Sequence, residues 1–250
     1  MSHPVYILSA QRTAIGAFQG ALAGLSAPQL GSECISAALQ KAGIRPDDVD
    51  ECTMGQVLTA GTGQAPARQS ALGAGLPPKV GCMTINKVCG SGLKAVMLAA
   101  DSLQLGRAQV VVAGGQESMS QAPYLLKTAR GGFRLGHQKV FDSVLEDGLW
   151  DPYNDFHMGN AAELCAKEYN FSREEQDEYA KESYMRAQKA QKEGWFDTEI
   201  ASIEVKSRKG SLFIDQDEEP QKANFEKMPQ LKPAFDAHGT VTAANASKLN

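Results

Sequence analysis

Cys89 stands between an apolar run at 81–88 and a helical pattern that begins at Ser91, and Gly90 and Gly92 flank that serine. A thiol at a strand-to-helix turn sits beside backbone N–H groups that have no partner inside the helix, at the positive end of the helix dipole. Both favour the thiolate, and helix N-termini are among the places where cysteine becomes a nucleophile. The two glycines remove side chains, so a bulky ligand can approach the backbone. The turn's N–H groups can also donate to an oxyanion. The competing reading is a small buried cysteine that merely fills space, and the glycine flanks bring the two readings close to balance.

No partner for this thiol follows from spacing. His157 lies in "NDFHMG" (154–159), just ahead of a helix, where a histidine is usually a surface or packing residue. His3, His137 and His238 have no metal-ligand or triad spacing. "AGGQESMS" (113–120) ends a strand with two glycines and reads by itself as a tight turn. "GTGQAP" (61–66) carries only the first two glycines of a dinucleotide fingerprint, which leaves a nicotinamide enzyme unsupported. The five cysteines, Cys34, Cys52, Cys82, Cys89 and Cys165, form no C-x-x-C pair. That argues against a zinc site or a disulfide framework and for a reducing, cytoplasmic compartment.

The elements that must position these residues alternate. Apolar runs at 5–10, 51–58, 81–88 and 108–115 read as strands, the first short and buried. Helical patterns at 27–43, 65–75 and 91–105 stop at Gly43, Gly75 and Gly106. Strand–helix alternation predicts a layered α/β sheet. From about Met119 the periodicity fades, and 119–250 reads as an inserted or appended α+β subdomain. Within it, 160–170 and 172–194 are helices, the second with a Ser172/Glu175 capping box and a stop at Gly194. Residues 199–216 read as a hairpin turning at "RKG".

At 42% hydrophobic and 22% charged residues, the 250-residue chain has the composition of a protein with a real core. A net charge of −4 gives no basic field for nucleic acid, although Arg208-Lys209 could hold a phosphorylated ligand. Residues 1–4 lead directly into an apolar run, which predicts no leader peptide. No apolar run approaches the ~20 residues of a membrane span. "SKL" at 247–249 is followed by Asn250, so it is not read as a peroxisomal terminus.

Taken together, "NKVCGSGLKAV" (86–96) and "VVVAGGQESMSQAPY" (110–124) resemble two segments of the thiolase family. "SAQRTAIGAFQGALA" (9–23), "GQAPARQSALGAG" (63–75), "DGLWDPYNDFHMGNAAE" (147–163) and "GTVTAANAS" (239–247) follow in family order. The resemblance covers essentially the whole chain, and "HMG" is similar to the short-chain, acetoacetyl-CoA-type branch. It implies a thiolase α/β half-fold over 1–118 and a loop domain over 119–250. It also implies ping-pong acyl transfer through an acyl-Cys89 intermediate, forming or cleaving acetoacetyl-CoA from acetyl-CoA. Coenzyme A thioesters are then substrates, and no cofactor or metal is required. By the same analogy Leu149, His157, Met158, Ala243, Ala246, Ser247 and Leu249 line the CoA and pantetheine path. His157 and Met158 would limit the acyl pocket, and 122–143 resembles a tetramerisation loop, implying a homo-oligomer (dimer or tetramer).

The sequence also departs from the family. The GHP histidine, the NEAF asparagine and the C-x-G-G-G cysteine of a second half-fold do not occur in these 250 residues. That predicts a truncated or split protein with an exposed apolar sheet face. An arginine usual after "DE-x-P" is Gln221, whose charge Lys222 or Lys227 could replace only without the guanidinium fork. Lys248 stands where the family has glycine. Two rival readings remain: a non-catalytic CoA- or acyl-binding subunit awaiting a partner, and a 3-oxoacyl synthase of the same superfamily.

Overall fold

A computed structural model describes residues 4–207 and 210–250. Its centre is a three-stranded parallel sheet. Glu51–Gly55 lies in the middle, with Gly81–Ile85 on one side and Val111–Gly115 on the other. The register pairs Gly55 with both Ile85 and Gly115, so all three strands end at one level. Parallel neighbours need helical crossovers, and the helices supply them.

Helix α1 (Ala27–Ala42) is set at both ends by local chemistry. Ser26 and Gln29 form a reciprocal capping box, and Gly43 closes the helix at φ 66°. Helix α2 (Pro66–Gly73) begins with proline, which is already set for a helical φ and has no N–H to leave unpaired. Ile35, Leu39, Val49, Cys52, Met54, Ala67, Ala71, Leu76 and Val80 form the core between these helices and the sheet. Helix α3 (Ser91–Gln104) follows the edge strand and packs across the central strand.

Helix α4 (Met158–Glu168) begins two residues before the expected position. His157 serves as its N-cap, its Nδ1 accepting from the Gly159 N–H at 2.8 Å. The spacing pointed to Asn160 because histidine is outside the usual capping set. Helix α5 (Arg173–Lys192) has the expected Ser172/Glu175 capping box. Strands Ile203–Ser207 and Gly210–Ile214 form an antiparallel hairpin. Its turn residues Arg208 and Lys209, like His3, lie outside the described residues, and so does the anion cluster suggested there. A second core joins Ala14 and Leu22 to Ile203 and Ile214, tying the N-terminal segment to this hairpin.

One expected element is overturned. Residues 5–10 pair with no strand among the described residues, and Tyr6, Ile7 and Leu8 are 73%, 80% and 62% exposed. Their apolar pattern marks a surface suited to burial. A strand, however, also needs a neighbour for its N–H and C=O groups, and none runs beside it. Among the described residues no helix is long and apolar enough to cross a membrane.

Candidate active site

The three strands end beneath the first turn of α3, and small residues let the layers touch. A Cβ on Gly55 would lie 2.5 Å from the carbonyl carbon and Cβ of Ser91, and one on Gly115 would lie 3.2 Å from the Cα of Gly92. The helix N-terminus therefore rests directly on the strand ends.

The chain reaches that helix through a sharp turn. Val88 has φ 48°, a conformation that β-branched residues rarely adopt. Side chains hold it there. The Ser91 hydroxyl donates to the Val88 carbonyl at 2.6 Å and accepts from the Lys87 N–H at 2.8 Å, while Asn86 Oδ1 accepts from the Val88 N–H at 2.8 Å. Ser91 is only 4% exposed, so its hydroxyl belongs to the turn. The result presents Cys89 outward, one residue before the N-cap Gly90. The first-turn N–H groups of Gly92 and Leu93 have no intrahelical carbonyl to bind.

Cys89 opens onto a cleft of about 530 Å³. Its walls come from 13–17, 55–58 and 115–120, with Val88, Ser91, Gly92, Val144, Gly148, Leu149 and Asn250. The other thiols differ. Burial pushes Cys52 up to about 12 and also raises Cys34 and Cys82, while Cys165 is exposed on α4, away from the cleft.

Into the wall of the cleft is built a polar network that sequence reading missed, because "AGGQES" reads simply as a turn. Gln116 Nε2 donates to Gln56 Oε1 at 3.0 Å, and Gln56 Nε2 donates to the Leu58 carbonyl at 2.9 Å. The Ser70 hydroxyl donates to Gln116 Oε1 at 2.5 Å. Glu117 borders the cleft and accepts from the Val57 and Leu58 N–H groups at 2.8 and 3.2 Å. Burial pushes its carboxyl up, against those two donors, which lower it.

Of the residues expected on the ligand path, Leu149 shares the cleft with Cys89. His157, Met158, Ala243, Ala246, Ser247 and Leu249 do not line it. His157 instead caps α4 and stacks on Phe235, ring centroids 4.9 Å apart. Ala243 and Ala246 lie in a turn anchored to α5 by Asn245 Nδ2, which donates to Asp177 Oδ1 at 2.8 Å. From there the chain returns to the cleft. The Leu249 carbonyl accepts from the Phe18 N–H at 3.2 Å, and the Asn250 carbonyl accepts from the Met119 N–H at 3.0 Å.

A family profile described as Thiolase, N-terminal domain, matches residues 5–250. The chain belongs to the thiolase family. An acetyl-CoA acetyltransferase of Cupriavidus necator is 56% identical over 248 residues, covering 98% of this chain and 63% of that protein. One from Pseudomonas aeruginosa is 53% identical with the same coverage. The crystal structure of the Bacillus anthracis acetyl-CoA acetyltransferase superposes with a TM-score of 0.96 at 42% identity, covering 99% of this chain and 63% of that one. This thiolase chain thus spans less than two thirds of the length of the relatives it matches, and it has their layered α/β fold.

Proposed function

We propose that the chain carries the acyl-accepting centre of a thiolase that interconverts two acetyl-CoA with acetoacetyl-CoA and CoA. The observation that carries this reading is the exposed Cys89 thiol on the wall of a cleft at the N-terminus of α3. The names of the relatives support the substrate. In the first half-reaction the Cys89 thiolate attacks the thioester carbonyl. The oxyanion meets backbone N–H donors, the C–S bond to CoA breaks, and CoA leaves as the thiol after taking up a proton. In the second, the methyl carbon of another acetyl-CoA loses a proton and attacks acetyl-Cys89. That step releases acetoacetyl-CoA and returns the thiolate.

The reading extends to the rest of the chain. We take 1–118 as the half-fold that holds the nucleophile and 119–250 as a loop domain over it. Coenzyme A enters past Leu149 and the returning 243–249 segment, with His157 and Met158 limiting the acyl end of the path. The 122–143 excursion is the oligomerisation segment, and the working protein is a homo-oligomer in the cytoplasm without cofactor. Incubation with acetyl-CoA, followed for both a protein adduct and acetoacetyl-CoA, tests the proposal. Adduct with turnover supports the full activity. Adduct without turnover assigns this chain the acylation half-reaction, and CoA binding without adduct would make it a binding module.

A further inference from the structure

One wall of the Cys89 cleft is built from Thr13 to Ala17 with Leu22 and Ala23, and two adjacent acids far along the chain hold the backbone of this stretch. Asp217 Oδ1 accepts from Arg12 Nη1 at 2.7 Å and from the Ile15 N–H at 2.7 Å, and its Oδ2 accepts from Arg12 Nη2 at 3.1 Å. Arg12 is held from the other side by Glu199 at 2.6 Å and lies over the Phe196 ring at 4.9 Å. Glu218 continues the clamp. Its Oε2 accepts from the Ala17 N–H at 2.8 Å and the Ala21 N–H at 3.1 Å, and its own N–H donates to the Ile15 carbonyl at 3.0 Å.

The local sequence is shaped for this carboxylate. Gln19 takes φ 56°, which turns the chain around it. A Cβ on Gly20 would lie 2.5 Å from Glu218 Oε2, so a side chain there would displace the acid. Hydrogen bonds to a carboxylate acceptor are the stronger kind, and here they hold the N–H groups of Ile15 and Ala17, which border the cleft, and of Ala21, next to the lining residue Leu22. Asp217 is 6% exposed, and neither acid itself lines the cleft.

We propose that Asp217 and Glu218 are positioning residues that set the width of the Cys89 cleft by holding the 15–21 backbone, and so decide how large a group reaches the sulfur. That the group is an acyl chain rests on the reading of Cys89 as acyl acceptor; the control of width does not. The 157–158 pair does not line this cleft, so the clamp acts separately from any limit those residues set elsewhere on the path.

The test compares alkylation of the full 250-residue chain by iodoacetamide and by its N-hexyl derivative, mapped to individual cysteines. Cys165, exposed outside the cleft, is the internal reference. The unaltered chain prefers the small reagent more strongly at Cys89 than at Cys165. Glu218→Ala lowers that preference at Cys89 by about fivefold or more, because the Ala17 amide on the wall and the Ala21 amide beside it lose their carboxylate acceptor. Glu218→Gln keeps an oxygen there and restores it. Should Glu218→Ala fail to fold, Glu218→Asp, which withdraws the carboxylate by one methylene, gives the same reading. A preference unchanged in folded variants overturns the proposal, as does one that falls equally at Cys165. Acetylation by acetyl-CoA is scored separately. Lost preference without an adduct overturns the acyl-acceptor reading alone, and an adduct with unchanged preference overturns the clamp alone.

Discussion

At the scale of single residues, the site divides into an exposed thiol and a half-buried carboxyl. Glu117 sits at the floor of the cleft with its charge partly withdrawn from water, and burial raises it above the ordinary 4.5 despite two backbone donors. A carboxyl raised in the folded chain keeps its proton to higher pH there than in the unfolded chain. It therefore imposes no penalty below 4.5 and a growing one as pH rises from there through the raised value. Replacing it with glutamine removes the titration and forfeits one acceptor, a loss that does not vary with pH. Between about pH 4 and about pH 7 the stability of Glu117→Gln should gain on the unaltered chain, measured by denaturant midpoints across that range. Parallel curves would show that Glu117 has no raised value. Cys89 was legible in the sequence because glycine, thiol and helix start fall in a readable order. Glu117 was not, since its role depends on Val57 and Leu58, which the fold brings in from about sixty residues away, and the local bonds of Asn86 and Ser91 form only because Val88 takes a positive φ that its residue type does not signal.

Elements position the sulfur by contact between layers. The first turn of α3 rests on Gly55 and Gly115, and a methyl at position 55 would overlap the Ser91 backbone at 2.5 Å. Gly55→Ala should therefore push the helix start outward and cost about 1–3 kcal/mol. In a chain this long that lowers the thermal midpoint by roughly 2–10 °C. The same variant should change the alkylation rate of Cys89 while leaving Cys165 untouched; an unaltered midpoint and rate would contradict the close-packed arrangement. Helices were the most readable elements. Ser172 with Glu175, and Gly43, are local signals, and each functions as a cap or stop. The 5–10 run misled because strand formation is not local: its apolar residues specify burial, but a ladder requires a second chain segment. The clamp of Asp217 and Glu218 was invisible for the same reason, since some two hundred residues separate it from the amides it holds.

The whole molecule carries more apolar surface than its core absorbs. Leu93, Val96 and Met97 on α3, Met83 on the neighbouring edge strand, and Tyr6 to Leu8 are all exposed. Exposed apolar side chains in this number are a mark of interfaces. We expect the chain to self-associate at micromolar concentration by sedimentation velocity, and Leu93→Lys with Met97→Lys to shift it toward monomer. A chain already monomeric, or one indifferent to both lysines, would remove that face from the assembly. Relatives at 56% and 53% identity extend well beyond the length matched here, so the acylation proposed for this chain has to be measured on the chain itself. The direct measurement is mass spectrometry of the intact chain after exposure to acetyl-CoA, followed by peptide mapping across its five thiols. We expect a single acetyl group on Cys89 that is lost in Cys89→Ser and retained in Cys165→Ser. An acetyl group on another cysteine, or none on Cys89 in the folded chain, would contradict it.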